Sequence, residues 1–327
     1  MVLGTALLVA VVATPLVRLL AIRAGFIDQP DDRKHHQQAT PLLGGLAIYL
    51  AVLIALFVYP ERHTILGLGS ILVAGSWISF LGVWDDRSGL RVSIKLTAQT
   101  LAALLLVATG VEVLLPLPAW LNLALTLLWL VGITNAFNLL DNMDGLSGGL
   151  GAIAAAFFLL LAVDNGQFLV APLAAAIVGA CAGFLIYNFN PARIFMGDSG
   201  SLFLGFLLAA VGIKLRFPQN VPQVTLWVPV LVLWVPILDT TLVTVSRLRR
   251  GQNPFLNPGR DHLSHRLVSM GCTQRQAVVI LYGIATGLGL LALWVSRSGI
   301  AVAWTTGSLV LLASLLSIVV LDRRRHG

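Results

Sequence analysis

Residues Met1 to Leu20 read MVLGTALLVAVVATPLVRLL, with Arg18 as the single charge and Arg23 following just beyond. At 1.5 Å per residue such a run makes about 30 Å of helix, the thickness of a bilayer's hydrocarbon core. No basic residue precedes it and two close it, the reverse of a secretory signal, so it reads as a retained spanning helix with its N-terminus outside. Comparable apolar runs recur at 1–20, 42–59, 65–83, 94–113, 120–134, 147–163, 168–187, 200–214, 224–246, 277–295 and 299–321, with short polar gaps between them. Lipid offers backbone amides no partners, so runs of this length must be helices. The expected fold is an all-α integral membrane protein: a polytopic bundle of about 11 transmembrane helices forming a single domain over 1–327, with the C-terminus cytoplasmic.

Composition excludes a water-soluble fold. Of the 327 residues, 57% are hydrophobic and 11% charged, against about 25% charged in soluble domains. Cys181 lies inside an apolar run and Cys272 in a polar loop, so neither a disulfide framework nor redox chemistry is indicated. The net charge of +7 is divided by apolar spans; it encodes topology and contact with anionic lipid or substrate, not nucleic-acid binding. With the N-terminus outside, every Lys and Arg except Arg62, Lys214, Arg216 and Arg297 falls on the cytoplasmic side, 17 of 21. The acids follow the same side although the positive-inside rule does not require it. Ten of 14 are inner, the exceptions being Glu61, Glu112, Asp164 and the intrahelical Asp239. Carboxylates and cations gathered on one face suit a metal ion and an anionic ligand together.

Five inner loops carry this chemistry. The first reads Asp28-Gln-Pro-Asp-Asp-Arg-Lys-His-His36, then Thr40-Pro-Leu-Leu-Gly-Gly45 at the next helix. Lys34 and His36 suit phosphate oxygens, and a solvated basic loop that only sets topology is the alternative. The second carries Trp84-Asp85-Asp86-Arg87. Adjacent carboxylates beside a bilayer are costly unless hydrated, paired or metal-bound, and Mg²⁺ takes one or two carboxylates with phosphate and water. A hydrated pair ending a helix is the other reading. The third, Asn135-Ala-Phe-Asn-Leu-Leu-Asp-Asn-Met-Asp-Gly-Leu-Ser-Gly-Gly149, is rich in oxygen ligands. It is not a calcium loop of EF-hand type, since Ala152 stands where the bidentate Glu belongs. Capping by Asp144 explains part of it but not Asn138 and Asp141.

The fourth loop, Tyr187-Asn-Phe-Asn-Pro-Ala-Arg-Ile-Phe-Met-Gly-Asp-Ser-Gly-Ser201, runs into a helix N-terminus, a natural phosphate site. Asp198 there is a metal ligand or an ordinary N-cap, and Phe195 a face for a nucleobase or a packing residue. The fifth, Arg247 to Arg275, holds Arg249, Arg250, Arg260, His262, His265 and Arg266. Two His three residues apart, with no second matching pair, do not make a zinc site; phosphate suits the set better. Asp239, about 12 Å deep at 1.5 Å per residue, either orients this loop or snorkels.

Together these elements resemble the polyprenyl-phosphate N-acetylhexosamine-1-phosphate transferases. The resemblance covers nearly the whole chain and all five loops in order: Asp28 with Arg33-Lys34 and Gly44-Gly45; Asp85-Asp86; Asn135 to Asn138 with Asp141 and Asp144-Gly145; Phe195 to Ser201; and His262 to His265. It implies a bacterial cell-membrane enzyme, its site on the cytoplasmic face, that uses Mg²⁺, with Mn²⁺ as an alternative. Undecaprenyl phosphate attacks the sugar-proximal phosphorus of a UDP-N-acetylhexosamine and UMP leaves. It also implies that Asn138 and Asp198 bind the metal, and that Asp85 and Asp86 position or deprotonate the lipid phosphate with Asp141 nearby. Phe195 would stack on uracil, Asn188 and Asp144 would contact the uridine, and Lys34, His262, His265 and Arg266 would meet phosphates and sugar. A homodimer is compatible with all of this.

The sugar is read from the last loop. The phospho-N-acetylmuramoyl-pentapeptide branch carries three consecutive His followed by Phe-Glu, whereas Asp261-His-Leu-Ser-His-Arg-Leu267 is closer to the His-x-His-His of the N-acetylglucosamine branch, with Ser264 in place of its middle His. UDP-N-acetylglucosamine is therefore the expected donor. A transporter would place its acids near the midplane, where only Asp239 lies. A CDP-alcohol phosphotransferase would need Asp residues spaced along one helix, and there is no such run.

Overall fold

A computed structural model describes residues 1–28, 39–59, 62–218, 220–253, 259 and 261–323. Lys34, with its neighbours Arg33 and His36, and Arg260 lie outside the described residues. The chain forms two compact units, Met1–Leu215 and Arg216–Gly327.

In the first unit the helices are α1 (Val2–Ala24), α2 (Gly44–Phe57), α3 (Arg62–Ser88), α4 (Val92–Ala108), α5 (Ala119–Leu140), α6 (Leu146–Asp164), α7 (Val170–Asn188) and α8 (Asp198–Lys214). Two short strands, β1 (Ile27–Asp28) and β2 (Thr40–Pro41), pair antiparallel between α1 and α2. The second unit contains α9 (Pro222–Val232), α10 (Trp234–Arg249), α11 (Leu263–Ser269), α12 (Gln274–Ser296) and α13 (Ile300–Arg323). Ten of the eleven expected runs each fall on one helix, and the remaining one, 224–246, falls on the pair α9 and α10. Seven of these helices are long and apolar enough to cross a membrane, eight if the bent pair α9–α10 counts as one span, so the protein is an all-α, multi-pass membrane protein. α2 and α4 are shorter apolar helices.

Large apolar side chains face outward along the spans, Leu8, Val12 and Leu16 on α1 and Trp77, Phe80 and Trp84 on α3 among them, each more than half exposed. On a soluble protein such patches would be a liability; in lipid they are the solvated surface. α8 is the opposite case, with every residue from Ser199 to Ile213 buried. A helix apolar all round belongs in a core, and α8 packs against α2, α3, α5, α6 and α7.

Glycine sets how closely those partners approach. A Cβ on Gly45 would come 2.1 Å from the backbone N of Gly200, and one on Gly82 would come 2.4 Å from the Asp198 carbonyl and from Ser199 Cα. α2 and the last turns of α3 thus touch the first turn of α8 backbone to backbone, as small residues allow between helices in lipid.

The expected continuous span at 224–246 is broken. α9 ends at Val232, α10 begins at Trp234, and the two axes bend by 74°. Pro236 has no N–H to donate to Val232, so the helical ladder loses a bond where the chain turns.

Candidate active site

The first turn of α8 is the centre of the polar cluster in the first unit. Gly197 precedes it at φ 71°, where a Cβ would fall 2.8 Å from the Asp86 carboxylate. Asp86, one helical turn beyond Gly82 on α3, accepts the Asp198 N–H at 2.8 Å on one oxygen and the Ser199 N–H at 3.2 Å on the other. It therefore caps α8 from a different helix, meeting amides that have no intrahelical partner.

Asp85 uses its two oxygens differently. One accepts the Leu90 N–H at 2.6 Å, holding the turn between α3 and α4; the other pairs with Lys95 Nζ at 2.5 Å. Lys95, on the first turn of α4, reaches on to Asp198 at 3.4 Å. From α5, Asn138 donates its amide to Asp198 Oδ1 at 2.8 Å and to Ser201 Oγ at 2.9 Å. Asp198 is thus gripped from α4 and α5 while its backbone N–H is held from α3. Lys95 was expected only as a topology signal. The clue to its role was position: it sits one turn into the helix that follows the aspartate pair.

Negative charge exceeds positive here. Burial, the Asp85 carboxyl and the nearby Asp86 push Asp198 up to about 7, against the pull of Lys95. Asp141, at the C-terminal cap of α5, is raised well above the usual carboxylate range by burial and by the charges of Asp198, Asp86 and Asp144. Among the described residues, Lys95 is the cation that pairs with Asp85 and Asp198.

A divalent ion suits the remaining deficit. Among the described residues no three His, Cys, Asp or Glu side chains converge as a complete metal cage. Magnesium does not require one, since it takes one or two protein ligands and completes its shell with substrate phosphate and water. Asn138 and Asp198 present polar atoms 2.8 Å apart. With its amide turned to offer the oxygen, Asn138 would put a second hard oxygen beside the Asp198 carboxylate, the kind of pair that would hold a small divalent cation. The donor set therefore fits a magnesium or manganese ion bound jointly with a phosphate.

Other expected site residues are placed differently. Asp144 does not cap α6; Gly145 is the N-cap. One Asp144 oxygen instead accepts the Asn190 side-chain amide and the Ala192 N–H, both at 2.9 Å, tying down the loop before α8. Asn188 is buried, accepting the Gly145 N–H and donating to the Ile194 carbonyl, both at 3.0 Å. Its amide braces two loops with both ends engaged. Phe195 is half-buried, and its backbone joins α2 to the loop by accepting the Gly44 N–H and donating to the Pro41 carbonyl, each at 2.9 Å.

In the second unit the segment 261–266 docks on α10 through two anchors. In one, Asp261 receives Arg247 Nε at 3.3 Å and Arg250 Nη2 at 2.9 Å, while Arg266 donates to the Asp261 carbonyl at 2.9 Å and to Ser246 Oγ at 3.2 Å. Arg266, expected to meet substrate, serves this anchor with two of its guanidinium nitrogens. In the other, Asp239 holds His262 Nδ1 at 2.7 Å and the Leu263 N–H at 2.6 Å. Asp239 does not snorkel; it orients the loop. The His262 and His265 rings meet edge to face with centroids 5.9 Å apart.

Comparison with known proteins follows the same residues. Residues 68–216, which include α4 to α8 and most of α3, match glycosyl transferase family 4. A probable undecaprenyl-phosphate N-acetylglucosaminyl 1-phosphate transferase of Bacillus subtilis is 36% identical, the match covering 84% of this chain and 79% of that protein. A decaprenyl-phosphate N-acetylglucosaminephosphotransferase of Mycolicibacterium smegmatis is also 36% identical, with 85% and 77% covered. The undecaprenyl-phosphate alpha-N-acetylglucosaminyl 1-phosphate transferase of Escherichia coli K12 is 29% identical, with 91% and 84% covered.

Proposed function

Because the chain belongs to glycosyl transferase family 4, we propose that it transfers N-acetylglucosamine 1-phosphate from UDP-N-acetylglucosamine to undecaprenyl phosphate. An oxygen of the lipid phosphate bonds to the sugar-proximal phosphorus, the bond from that phosphorus to the bridging oxygen breaks, and UMP leaves with the oxygen. The products are UMP and undecaprenyl-diphospho-N-acetylglucosamine. Relatives named for this sugar support the donor, and relatives named for undecaprenyl and decaprenyl phosphate support a polyprenyl phosphate acceptor.

The observation that carries the reading is the grip on Asp198 by Lys95 and Asn138, with Asp86 capping the same helix end. Phosphoryl transfer needs alignment and charge neutralisation more than covalent help from the protein. Asp198 and Asn138 would hold Mg²⁺, or Mn²⁺ in its place, and the ion when bound neutralises charge on the reacting phosphates. Lys95 supplies a fixed positive charge beside Asp85, and the first turn of α8 aligns Asp198 with its neighbours. A phosphate monoester is largely ionised near neutral pH, so Asp85 is assigned orientation of the lipid phosphate through the Lys95 ammonium that it holds, in preference to deprotonation. Lys34, His262 and His265 are assigned to the phosphates and sugar of the donor, and Phe195 to its uracil, on the family resemblance. The bias of basic residues supports eleven spans with the N-terminus outside, the C-terminus inside and the site on the cytoplasmic face of a bacterial membrane.

Purified protein with undecaprenyl phosphate, Mg²⁺ and a panel of UDP-sugars tests this. UMP release is expected with UDP-N-acetylglucosamine and is lost on chelation and in Asp198→Ala. Turnover confined to UDP-N-acetylmuramoyl-pentapeptide would assign the chain to the muramoyl branch. Uptake of labelled UDP-sugar into vesicles without lipid labelling would replace the transferase with a transporter.

A further inference from the structure

Asp239 is fully buried on an apolar helix just past the 74° bend, and neither apolar packing nor topology requires a carboxylate there. An unpartnered charge in such a place is costly, and this one is fully engaged. Both its oxygens go to two consecutive residues: Oδ1 to the Leu263 N–H at 2.6 Å, Oδ2 to His262 Nδ1 at 2.7 Å. The first contact secures the start of α11. The second is not needed for that, because Asp261, Arg247, Arg250 and Arg266 already dock the same segment.

We infer that Asp239 is a positioning residue that fixes the ring of His262, holding its proton on Nδ1 and leaving Nε2 as the nitrogen offered to substrate. An ionised carboxylate only accepts, so the nitrogen facing it carries the hydrogen. Nε2 then accepts a proton when the ring is neutral and donates to a phosphate or sugar oxygen when it is charged. The His265 ring packs edge to face on that of His262, with its centroid 5.9 Å away, and limits its swing. The inference rests on the transferase reading for its consequence, though not for its geometry.

The substitution Asp239→Asn separates this role from a structural one. The Asn oxygen still accepts from Leu263, preserving the helix start, while its NH₂ faces Nδ1 and drives the proton to Nε2. Full-length protein labelled with ¹⁵N-histidine in lipid nanodiscs reports the tautomer directly, the His262 signal being identified by its loss in His262→Ala. Wild type is expected to carry the proton on Nδ1 and Asp239→Asn on Nε2, with kcat/KM for UMP release falling roughly 10–100-fold, the scale for losing the carboxylate that orients a functional His. In a His262→Ala background Asp239→Asn is expected to cost nothing more, because its effect passes through the absent ring. A wild-type ring protonated on Nε2, or a further loss in the His262→Ala background, would overturn the inference. Should Asp239→Asn fail to accumulate, the wild-type tautomer decides alone. Wild-type protein that releases no UMP from any UDP-sugar would sink the transferase reading while leaving the tautomer comparison intact.

Discussion

Gly82→Ala adds one methyl group to α3 and no charge, yet it should disable the enzyme. Its Cβ would come 2.4 Å from the carbonyl oxygen of Asp198 and from Cα and N of Ser199. All three are backbone atoms that no rotamer can move, and ordinary contact begins at 3.4 Å, so α3 and α8 must separate by about 1 Å. Asp86 lies one turn along the same face of α3. Its bonds to the Asp198 and Ser199 amides, now 2.8 and 3.2 Å, would stretch to about 3.8 and 4.2 Å, beyond hydrogen-bonding range. Each bond to a charged group contributes about 1.5–3 kcal/mol, so the loss is roughly 3–6 kcal/mol unless the helices tilt to recover part of it. A 1 Å displacement of reacting groups alone costs about 100-fold in rate. Gly69→Ala provides the control. It is the same change on the same helix, with nothing within 4 Å of the added carbon, and should be neutral or gain up to about 1 kcal/mol of helix propensity. UMP release and the thermal midpoint in detergent, measured for both variants, check the reasoning. Gly82→Ala with near-normal turnover would refute the claim that backbone contact between α3 and α8 sets the site.

Lys95→Met should lower UMP release at least about 100-fold and destabilise the protein by roughly 2–3 kcal/mol, because Asp85 is 5% exposed and would lose its cation; a melt and turnover matching wild type would remove Lys95 from the site. Asn188→Ala should cost about 2–4 kcal/mol by orphaning the Gly145 N–H and the Ile194 carbonyl; a melting shift well below that, with uridine binding lost, would instead favour direct contact with the nucleotide. The raised Asp198 gives a signed pH dependence. In the unfolded chain this carboxyl ionises near its ordinary 3.8, whereas in the folded, cation-free protein it keeps its proton to about 7. The folded state then binds more protons across that window, so this group's stabilisation, complete below about 4, is lost as pH rises to about 7. In EDTA the thermal midpoint of wild type relative to Asp198→Asn should therefore fall over that range, and Mg²⁺ should raise it more at pH 7.5 than at 5; a relative midpoint that climbs with pH would contradict the assignment.

Much of the fold was legible because hydrocarbon leaves few options. A run such as 147–163 or 168–187 has one use in a membrane, and α6 and α7 occupy those positions to within a few residues. The break at Leu233 was not foreseen, although Pro229 and Pro236 flank it, because hydropathy averaged over a window does not register a missing N–H. α11 was missed for a different reason: its seven residues are held by buried polar contacts to α10 and carry no apolar periodicity of their own. Within the candidate site the residue types were readable but their division of labour was not. Asp85 and Asp86 are neighbours in sequence, yet one pairs with Lys95 and the other caps α8. That distinction depends on which helix lies opposite each side chain, a tertiary fact that adjacency cannot carry.

The same division explains why the cluster tolerates so many acids beside lipid. Asp86 is matched by the two amides at the start of α8, whose dipole favours negative charge there, and Asp85 by Lys95 and the Leu90 amide. Burial first, and then the neighbouring carboxylates, push Asp198 and Asp141 upward, and the protein's own partners offset little of it. A bundle selected for stability alone would place an amide or a hydroxyl at these positions and avoid the repulsion. Retaining carboxylates where the protein supplies too little positive charge makes sense if the balance arrives from outside, and it confines that arrival to the few ångströms around Asn138 and Asp198.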